Sequence, residues 1–403
     1  MPAFLCIASY FKGNSFYQAC KQAGNEVYLV TSSRWKEKPW AFDYIDEIFY
    51  MDLDDEGNWN MDDLINGTAY LLRNKKIDRI IAIDDFDVEK AAELREVFRF
   101  DGMTYTVAKY FRDKLAMRLM AAKVNLRVPA FAAIFNDKRL QDFLSAHPAP
   151  WFIKARGEAS TTGIYKCENE KQVNAFIHAH PASRYKYLIE SYIPGDVYHV
   201  DSFSVNGKIV FSQVSQYFNP PFDITHSAGI FRSASLPYDA VDTKELEKFN
   251  GKILTAFGIK NGPAHTEYIK SSADGKFYFL ETSSRLAGAF IPEMVLAASG
   301  INLWTEWAKL ETCLCNGNSY KIPKRKFNYS GIITSLSRFS IQDYSDFKAE
   351  ENEIFQLIEH PHHVGLIIQS NKLSRIQELI QLFSEVIIDK YHASAEPLEK
   401  RIN

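Results

Sequence analysis

The sequence predicts an α/β protein whose N-terminal part is a doubly wound parallel sheet and whose central part is α+β. Two observations predict this. Short apolar runs alternate with helically spaced segments near the N-terminus, as parallel strand-helix-strand units do. In the centre, hairpin turns join successive apolar runs at Asn206-Gly207 and around Ala273-Asp274-Gly275. The 403 residues leave room for two or three domains, at about 100 to 200 residues each. Hydrophobic residues make up 46% and charged residues 24%, so the chain can bury a large core.

The first strand is AFLCIA, followed by the helix NSFYQACKQAG with Gly24 as its stop and by the buried strand NEVYLVT. IDRIIAIDD repeats the strand signal, and VEKAAELREVF has the apolar stripe of a helix. No G-x-G-x-x-G follows the first strand, where SYFKGNS stands, so the dinucleotide fingerprint is missing.

YFRDKLAMRLMAAKVNLRVPAF reads as a helix ending before Pro129. APWFIKARGEASTTGIYKC then puts Lys154 at the end of a strand, ahead of a run of small residues. Small residues let backbone amides approach an anion, so the run reads as a loop over phosphates with Lys154 as a point charge; a polar hairpin turn is the plain alternative. YLIESYIPGDVYHVDSFSVNGKIVFSQVSQY carries Glu190 at a strand end, a Pro-Gly turn and two strands joined at Asn206-Gly207.

AHTEYIKSSADGKFYFLET reads as a hairpin, and pairing centred on residue 274 sets Glu267 opposite Glu281. Directly opposed Cβ atoms lie roughly 5 Å apart, and like charges there are destabilising unless neutralised. A divalent cation would neutralise them, and hard oxygen ligands suit magnesium carrying a nucleotide's phosphates. Arg285 and Gly288 follow within FYFLETSSRLAGAF, where a surface salt bridge at a strand-to-helix junction is the bland alternative.

The net charge of -3 and the lack of a basic patch exclude bulk electrostatic binding to nucleic acid. No run of about 18 apolar residues marks a membrane span. MPAFLCIASYFKG shows neither a basic leader nor a clear cleavage site. Five cysteines, an odd number mostly in apolar surroundings, suit a reducing compartment, so a cytoplasmic location is expected. His360, His362 and His363 beside Pro361 read as a turn, Cys313 and Cys315 as helix packing, and KIPKRK at 321–326 as a solvated linker. His226 sits in a Pro-rich loop and is a candidate substrate contact.

Taken in order, RDK at 112–114, FIKARGEASTTG at 152–163, LIESYIPGDVYHVD at 188–201, GPAHTEYI and FLETSSRLAG resemble an ATP-grasp ligase. The resemblance implies a pre-ATP-grasp domain over 1–110, an ATP-grasp domain of two α+β subdomains over 111–320 with a lid at about 125–190, and a small α+β C-terminal subdomain over 321–403. It further implies Lys114 and Lys154 on the nucleotide phosphates, with Ser160, Thr161, Thr162 and Gly163 closing over them. Glu190 and Ile193 match the adenine hinge, and His199 a histidine near the ribose and phosphates. Glu267 and Glu281 fall on the metal pair; the third ligand position is Ser283 where the family carries asparagine. Arg285 would face a substrate carboxylate or its acyl phosphate, and Gly288 would allow close backbone approach.

The implied cofactors are ATP and magnesium, with manganese as a substitute. The implied substrates are a small carboxylate and an amine, most similar to those of amino acid ligases and carnosine synthase-like enzymes, which join two amino acids. A homodimer is compatible with this. Two other classes stay open: a carboxylase-type enzyme activating bicarbonate, and a catalytically silent nucleotide-binding regulator. The chain has no Met-Lys-Met biotin-attachment sequence, and both lysines and both glutamates are present.

Overall fold

The computed structural model describes residues 1–55, 57–159, 161–227 and 229–393, without the side chains of 225–227. Its strands fall in three sheets, each built from a consecutive run of the chain. Strands β1 (Ala3–Ala8), β2 (Glu26–Ser32), β3 (Glu47–Met51) and β4 (Arg79–Ala82) form a parallel sheet in the order β3-β2-β1-β4. Every residue of β1 is buried, and its side chains alternate between two cores, Phe4, Cys6 and Ala8 in one, Leu5 and Ile7 in the other. A strand covered on both faces is what a doubly wound sheet requires. Helix Asn14–Gln22 docks this unit on helix Leu303–Cys315, with the rings of Phe16 and Trp307 4.9 Å apart.

The second sheet takes β5 (Phe131–Ala133), β6 (Trp151–Ala155), β7 (Ile164–Cys167) and β8 (Tyr187–Ser191) in the antiparallel order β5-β8-β6-β7. Leu140, Phe143 and Val173, from helices Asp137–Ala146 and Glu170–Ala179, pack against its Trp151, Ile153 and Ile189.

The third sheet holds β9 (Gly195–Val205), β10 (Lys208–Tyr217), β11 (Phe231–Ser235), β12 (Gly262–Ser271), β13 (Phe277–Ser283), β14 (Tyr329–Leu336), β15 (Ile354–Leu357) and β16 (His363–Ser370). Its order is β13-β12-β9-β10-β11-β14-β16-β15, all antiparallel. Asn206 and Gly207 turn β9 into β10 with φ of 51° and 75°, the left-handed pair that a two-residue Asn-Gly hairpin uses. Helix Val241–Phe257 covers one face, burying Phe249, Ile253 and Phe257 on Val200, Tyr268 and Phe279. The C-terminal strands extend this sheet, since β14 pairs with β11, and they carry their own core of Ile333, Leu366, Ile376 and Phe383.

Three local expectations change. The helix expected to run through RDK starts at Lys114 and ends at Lys123, because Asp113 caps it by accepting from the amides of Leu115 and Ala116. The Pro-rich segment expected as loop contains a short helix, Pro221–Ser227; its first residue is the proline that suits a first helical turn. The basic linker is not wholly solvated: Arg325 lies over the Tyr238 ring, 4.4 Å from its centroid, and donates to Gln213. Among the described residues all five cysteines are free, and no helix is long and apolar enough to cross a membrane.

Candidate functional site

The hairpin of β12 and β13 sets the acidic pair. Moving away from the turn, Phe277 pairs with Lys270, Tyr278 with Ile269 and Phe279 with Tyr268; Leu280 then bulges, and Glu281 pairs with Glu267. The expected pairing is present, but the route differs: a tighter turn plus one inserted residue replaces a regular ladder centred on 274. Residues two apart share a face of a regular strand. Here Phe279 lies in the core beneath helix Val241–Phe257 while Glu281 lines a cavity, because the bulge turns the strand over between them. Leu280 has no partner in that ladder, and its carbonyl accepts from Arg118 Nη1.

The segment 156–163 is held by the three residues that lead into helix Lys114–Lys123. Arg112 donates to the carbonyl of Gly157, and Asp113 accepts from Arg156 Nε at 2.9 Å while it caps the helix. Lys114 Nζ donates to the carbonyl of Glu158 at 2.7 Å and lies 2.9 Å from Glu281 Oε2. Thr161 holds φ at 60°, a strained choice for a β-branched residue, and its buried hydroxyl has no hydrogen-bond partner among the described residues. Gly163 has φ 69°, and a Cβ there would stand 2.8 Å from that of Ala155, so glycine is required on both counts. Ser160 lies outside the described residues.

Glu190 is buried between two cations. Its Oε2 accepts from Arg118 Nη2 at 2.8 Å and Nε at 3.0 Å, and its Oε1 pairs with Lys154. Burial alone would raise its pKa, but Arg118 and Lys154 outweigh it and keep the carboxyl below the usual range. The carboxylate expected to receive adenine is thus held by two cations where it lines a small cavity, and Ile193 lines the same cavity together with Phe152 and Phe222, whose rings are 4.9 Å apart.

Period-two spacing places His199, Asp201, His265 and Glu267 on the face that carries Glu281. His199 Nδ1 is 2.7 Å from Asp201 Oδ2 and its Nε2 is 2.8 Å from Ser233 Oγ. It is fully buried and lines neither cavity, so its expected contact with ribose and phosphates is corrected: both ring nitrogens serve the sheet. His265 Nδ1 meets the other oxygen of Asp201 at 2.9 Å, and its Nε2 lies 3.6 Å from Glu267 Oε1. Burial opposes its charge, but Asp201 and then Glu267 raise its pKa to about 9. Glu267 also accepts from the Tyr217 hydroxyl at 2.9 Å; burial would raise its pKa, and the adjacent His265 together with the Tyr217 hydrogen bond holds it low.

Arg285 turns back to the first sheet. Its Nε donates to Asp85 Oδ2 at 2.9 Å, its Nη2 pairs with the same oxygen, and its Nη1 donates to the Leu286 carbonyl at 2.9 Å. Gly288 lines the cavity, and among the described residues no protein atom lies within 4 Å of where its Cβ would be, so the space there is open to a substrate. The backbone of His226 is in helix Pro221–Ser227, and its side chain lies outside the described residues.

Two cavities adjoin here. One of about 110 Å³ is lined by Lys154, Thr162, Glu190, Ile193, Phe152 and Phe222. The other, about 250 Å³, is lined by Asp85, Tyr217, His265, Ser283, Arg285 and Gly288. Lys114, Thr161, Glu267 and Glu281 line both. A wider groove of about 1100 Å³ along helix Val241–Phe257 contains none of the expected site residues. Two carboxylates with Ser283 beside them form a hard oxygen set that fits magnesium. The orphaned Thr161 hydroxyl and two buried lysines fit phosphate.

Sequence reasoning missed His265, Tyr217, Arg118 and Asp85. His265 was findable, standing two residues before Glu267 on one strand. Arg118 was findable too, four residues after Lys114 on one helix face. Asp85 carries no local signal, since it reaches the site from 200 residues before Arg285.

Residues 147–293 match the family described as the ATP-grasp domain. The chain is 21% identical over 301 residues to an L-arginine-specific L-amino acid ligase of Bacillus subtilis, an overlap of 72% of this chain and 70% of that one. Among solved structures, an L-amino acid ligase from Bacillus licheniformis superposes with a TM-score of 0.73 at 16% identity, covering 97% of this chain and 98% of that one. N5-carboxyaminoimidazole synthetase from Staphylococcus aureus, complexed with ADP, gives 0.70 at 14% identity, covering 95% and 97%. A biotin carboxylase from Campylobacter jejuni, in a β,γ-ATP complex, gives 0.69 at 15% identity, covering 98% and 92%. At these identities the superpositions show a shared fold.

Proposed function

The chain carries an ATP-grasp domain over residues 147–293, and from that premise we propose that it is an ATP-dependent carboxylate-amine ligase. A carboxylate is a poor acyl donor because oxide is a poor leaving group. Attack of the substrate carboxylate on the terminal phosphate of ATP gives an acyl phosphate and ADP. Attack of an amine on the acyl carbon then expels phosphate, and the amine gives up a proton. Such a sequence needs positioning and charge neutralisation rather than a protein nucleophile.

The observation that carries this reading is the meeting of the two cavities at Lys114, Glu267 and Glu281. Adenine takes the smaller cavity, against Phe152, Phe222 and Ile193. The phosphates pass Lys154 and Lys114 beneath Thr161 and Thr162. The acyl group takes the larger cavity, beside Arg285 and Gly288. Glu267, Glu281 and Ser283 would hold magnesium or manganese, which supplies charge neutralisation at the transferred phosphate. Lys154 leaves Glu190 for the phosphates, and Arg118 keeps Glu190 paired when it does. On this reading 1–110 is the pre-ATP-grasp domain, 111–320 the ATP-grasp domain with its lid near 125–190, and 321–403 the C-terminal subdomain.

We assign the substrates as two amino acids joined to a dipeptide or amide, a reading supported by the likeness to L-amino acid ligases. A panel of amino acid pairs with ATP and magnesium tests it. Phosphate and ADP appear only when both partners fit, and mass spectrometry then names the bond. AMP and pyrophosphate would point instead to adenylation, and turnover needing bicarbonate alone would point to the carboxylase class.

A further inference from the structure

Arg285 and Asp85 meet at the wall of the larger cavity, with side chains 14% and 4% exposed. Oδ2 of Asp85 takes both bonds from Arg285, while Oδ1 is buried and accepts no hydrogen bond among the described residues. Asp85 lies just past the carboxyl end of β4, where parallel sheets present the loops that bind ligands. The neighbouring cation Lys12 is engaged elsewhere, 3.0 Å from Asp84 Oδ2 and 3.3 Å from the Leu286 carbonyl. Asp85 therefore depends on Arg285 as its direct partner.

Arg285 directs three of its five N–H groups to Asp85 and the Leu286 carbonyl, which leaves two for a substrate carboxylate. A substrate with a carboxylate and no cation would leave the buried Asp85 Oδ1 without a donor, which is disfavoured. A substrate that brings an N–H cation beside its carboxylate satisfies Arg285 and Asp85 Oδ1 together.

We propose that the Arg285–Asp85 pair selects zwitterionic substrates, the carboxylate going to Arg285 and the substrate's N–H cation to Asp85. This rests on the ligase reading above. The pair selects by attraction at both ends, since a plain carboxylate engages Arg285 but gives Asp85 Oδ1 no donor. The cation is the α-ammonium of an amino acid or a cationic side chain; both offer N–H donors to a carboxylate.

Calorimetric titration tests this on the full chain loaded with magnesium and a non-hydrolysable ATP analogue. The ligands are L-alanine, L-leucine, L-lysine and L-arginine, each beside its desamino counterpart, with wild type and Asp85→Asn compared. At least one amino acid should bind wild type about ten-fold or more tightly than it binds Asp85→Asn, as a lost charge-assisted hydrogen bond implies. Propionate, the counterpart of alanine, should bind Asp85→Asn at least as tightly as wild type. Preference retained by desamino lysine or desamino arginine assigns the cation to the side chain; preference lost with the α-amino group assigns it to the α-ammonium. Equal affinity of both proteins for every ligand, with the nucleotide analogue still bound, would overturn the proposal and leave the ligase reading standing. Wild type that fails to bind the analogue would overturn the ligase reading itself. The comparison of each amino acid with its counterpart on wild type needs no variant, and equal binding across all pairs there also overturns the proposal.

Discussion

Glu267 and Glu281 face one another across β12 and β13, the first bound by the Tyr217 hydroxyl at 2.9 Å and the second by Lys114 Nζ at 2.9 Å. Each carboxylate already has a proton donor on its outer side, so the pair is oriented before any cation arrives. Glu281→Gln keeps the shape and removes the charge. It is expected to abolish phosphate release at a melting temperature near that of wild type, with weakened magnesium dependence. A mere surface salt bridge would instead cost about 0 to 1 kcal/mol and leave turnover intact. A thermal melt beside a phosphate-release assay decides.

Lys154→Ala removes one of the two point charges assigned to the phosphates. Glu190 keeps its bonds to Arg118, so the fold should survive. ATP affinity is expected to fall roughly ten-fold or more, with lower turnover. Calorimetric titration with ATP and magnesium measures it, and wild-type affinity would remove Lys154 from the site.

Arg118 is fully buried and neutralises Glu190. Arg118→Met keeps most of the volume and leaves Glu190 with Lys154 alone, which should cost about 3 to 5 kcal/mol of stability. Adding Glu190→Gln should recover part of that loss. Denaturant melts of the two single variants and the double variant give the coupling, and strictly additive losses would mean the pair does not interact.

Asp87 sits fully buried behind β1, accepting from the Ser9 amide and hydroxyl, and burial pushes its pKa up to about 6. The folded state thus binds this proton more tightly than the unfolded chain does. Its contribution should make stability fall as pH rises from about 4 to about 6, by on the order of 2 to 3 kcal/mol, and level off above. Asp87→Asn removes that slope. Denaturant melts across the window should show the variant gaining on wild type as pH rises; parallel curves would refute the shift.

The carboxylate pair was legible because a hairpin's turn and its alternation constrain distant residues together, and Asn206-Gly207 was legible because few turns accept two left-handed residues in succession. The bulge was not, since Leu280 is an ordinary apolar residue with no mark of its exceptional place. His199 was misplaced for a related reason: alternation gives the face of a strand, but not whether the space above it is open or filled by Asp201 and Ser233. The engagement of Glu190 by Arg118, and of Arg285 by Asp85, depends on elements far apart in the chain being brought together, and that of Glu190 by Lys154 on β8 lying beside β6, none of which a local pattern records.

The hairpin carries its spare residue at Leu280. Deleting that residue would leave Phe279 opposite Tyr268 and bring Glu281 onto the next rung, still opposite Glu267 and still toward the cavity. What would be lost is the carbonyl that Arg118 holds. Deleting a residue from the turn would instead slide β13 by one rung, trading the cavity-facing carboxylate for side chains that belong in the dry layer beneath helix Val241–Phe257. Two deletions a few positions apart, alike in composition, would thus divide into one the acidic pair survives and one it does not.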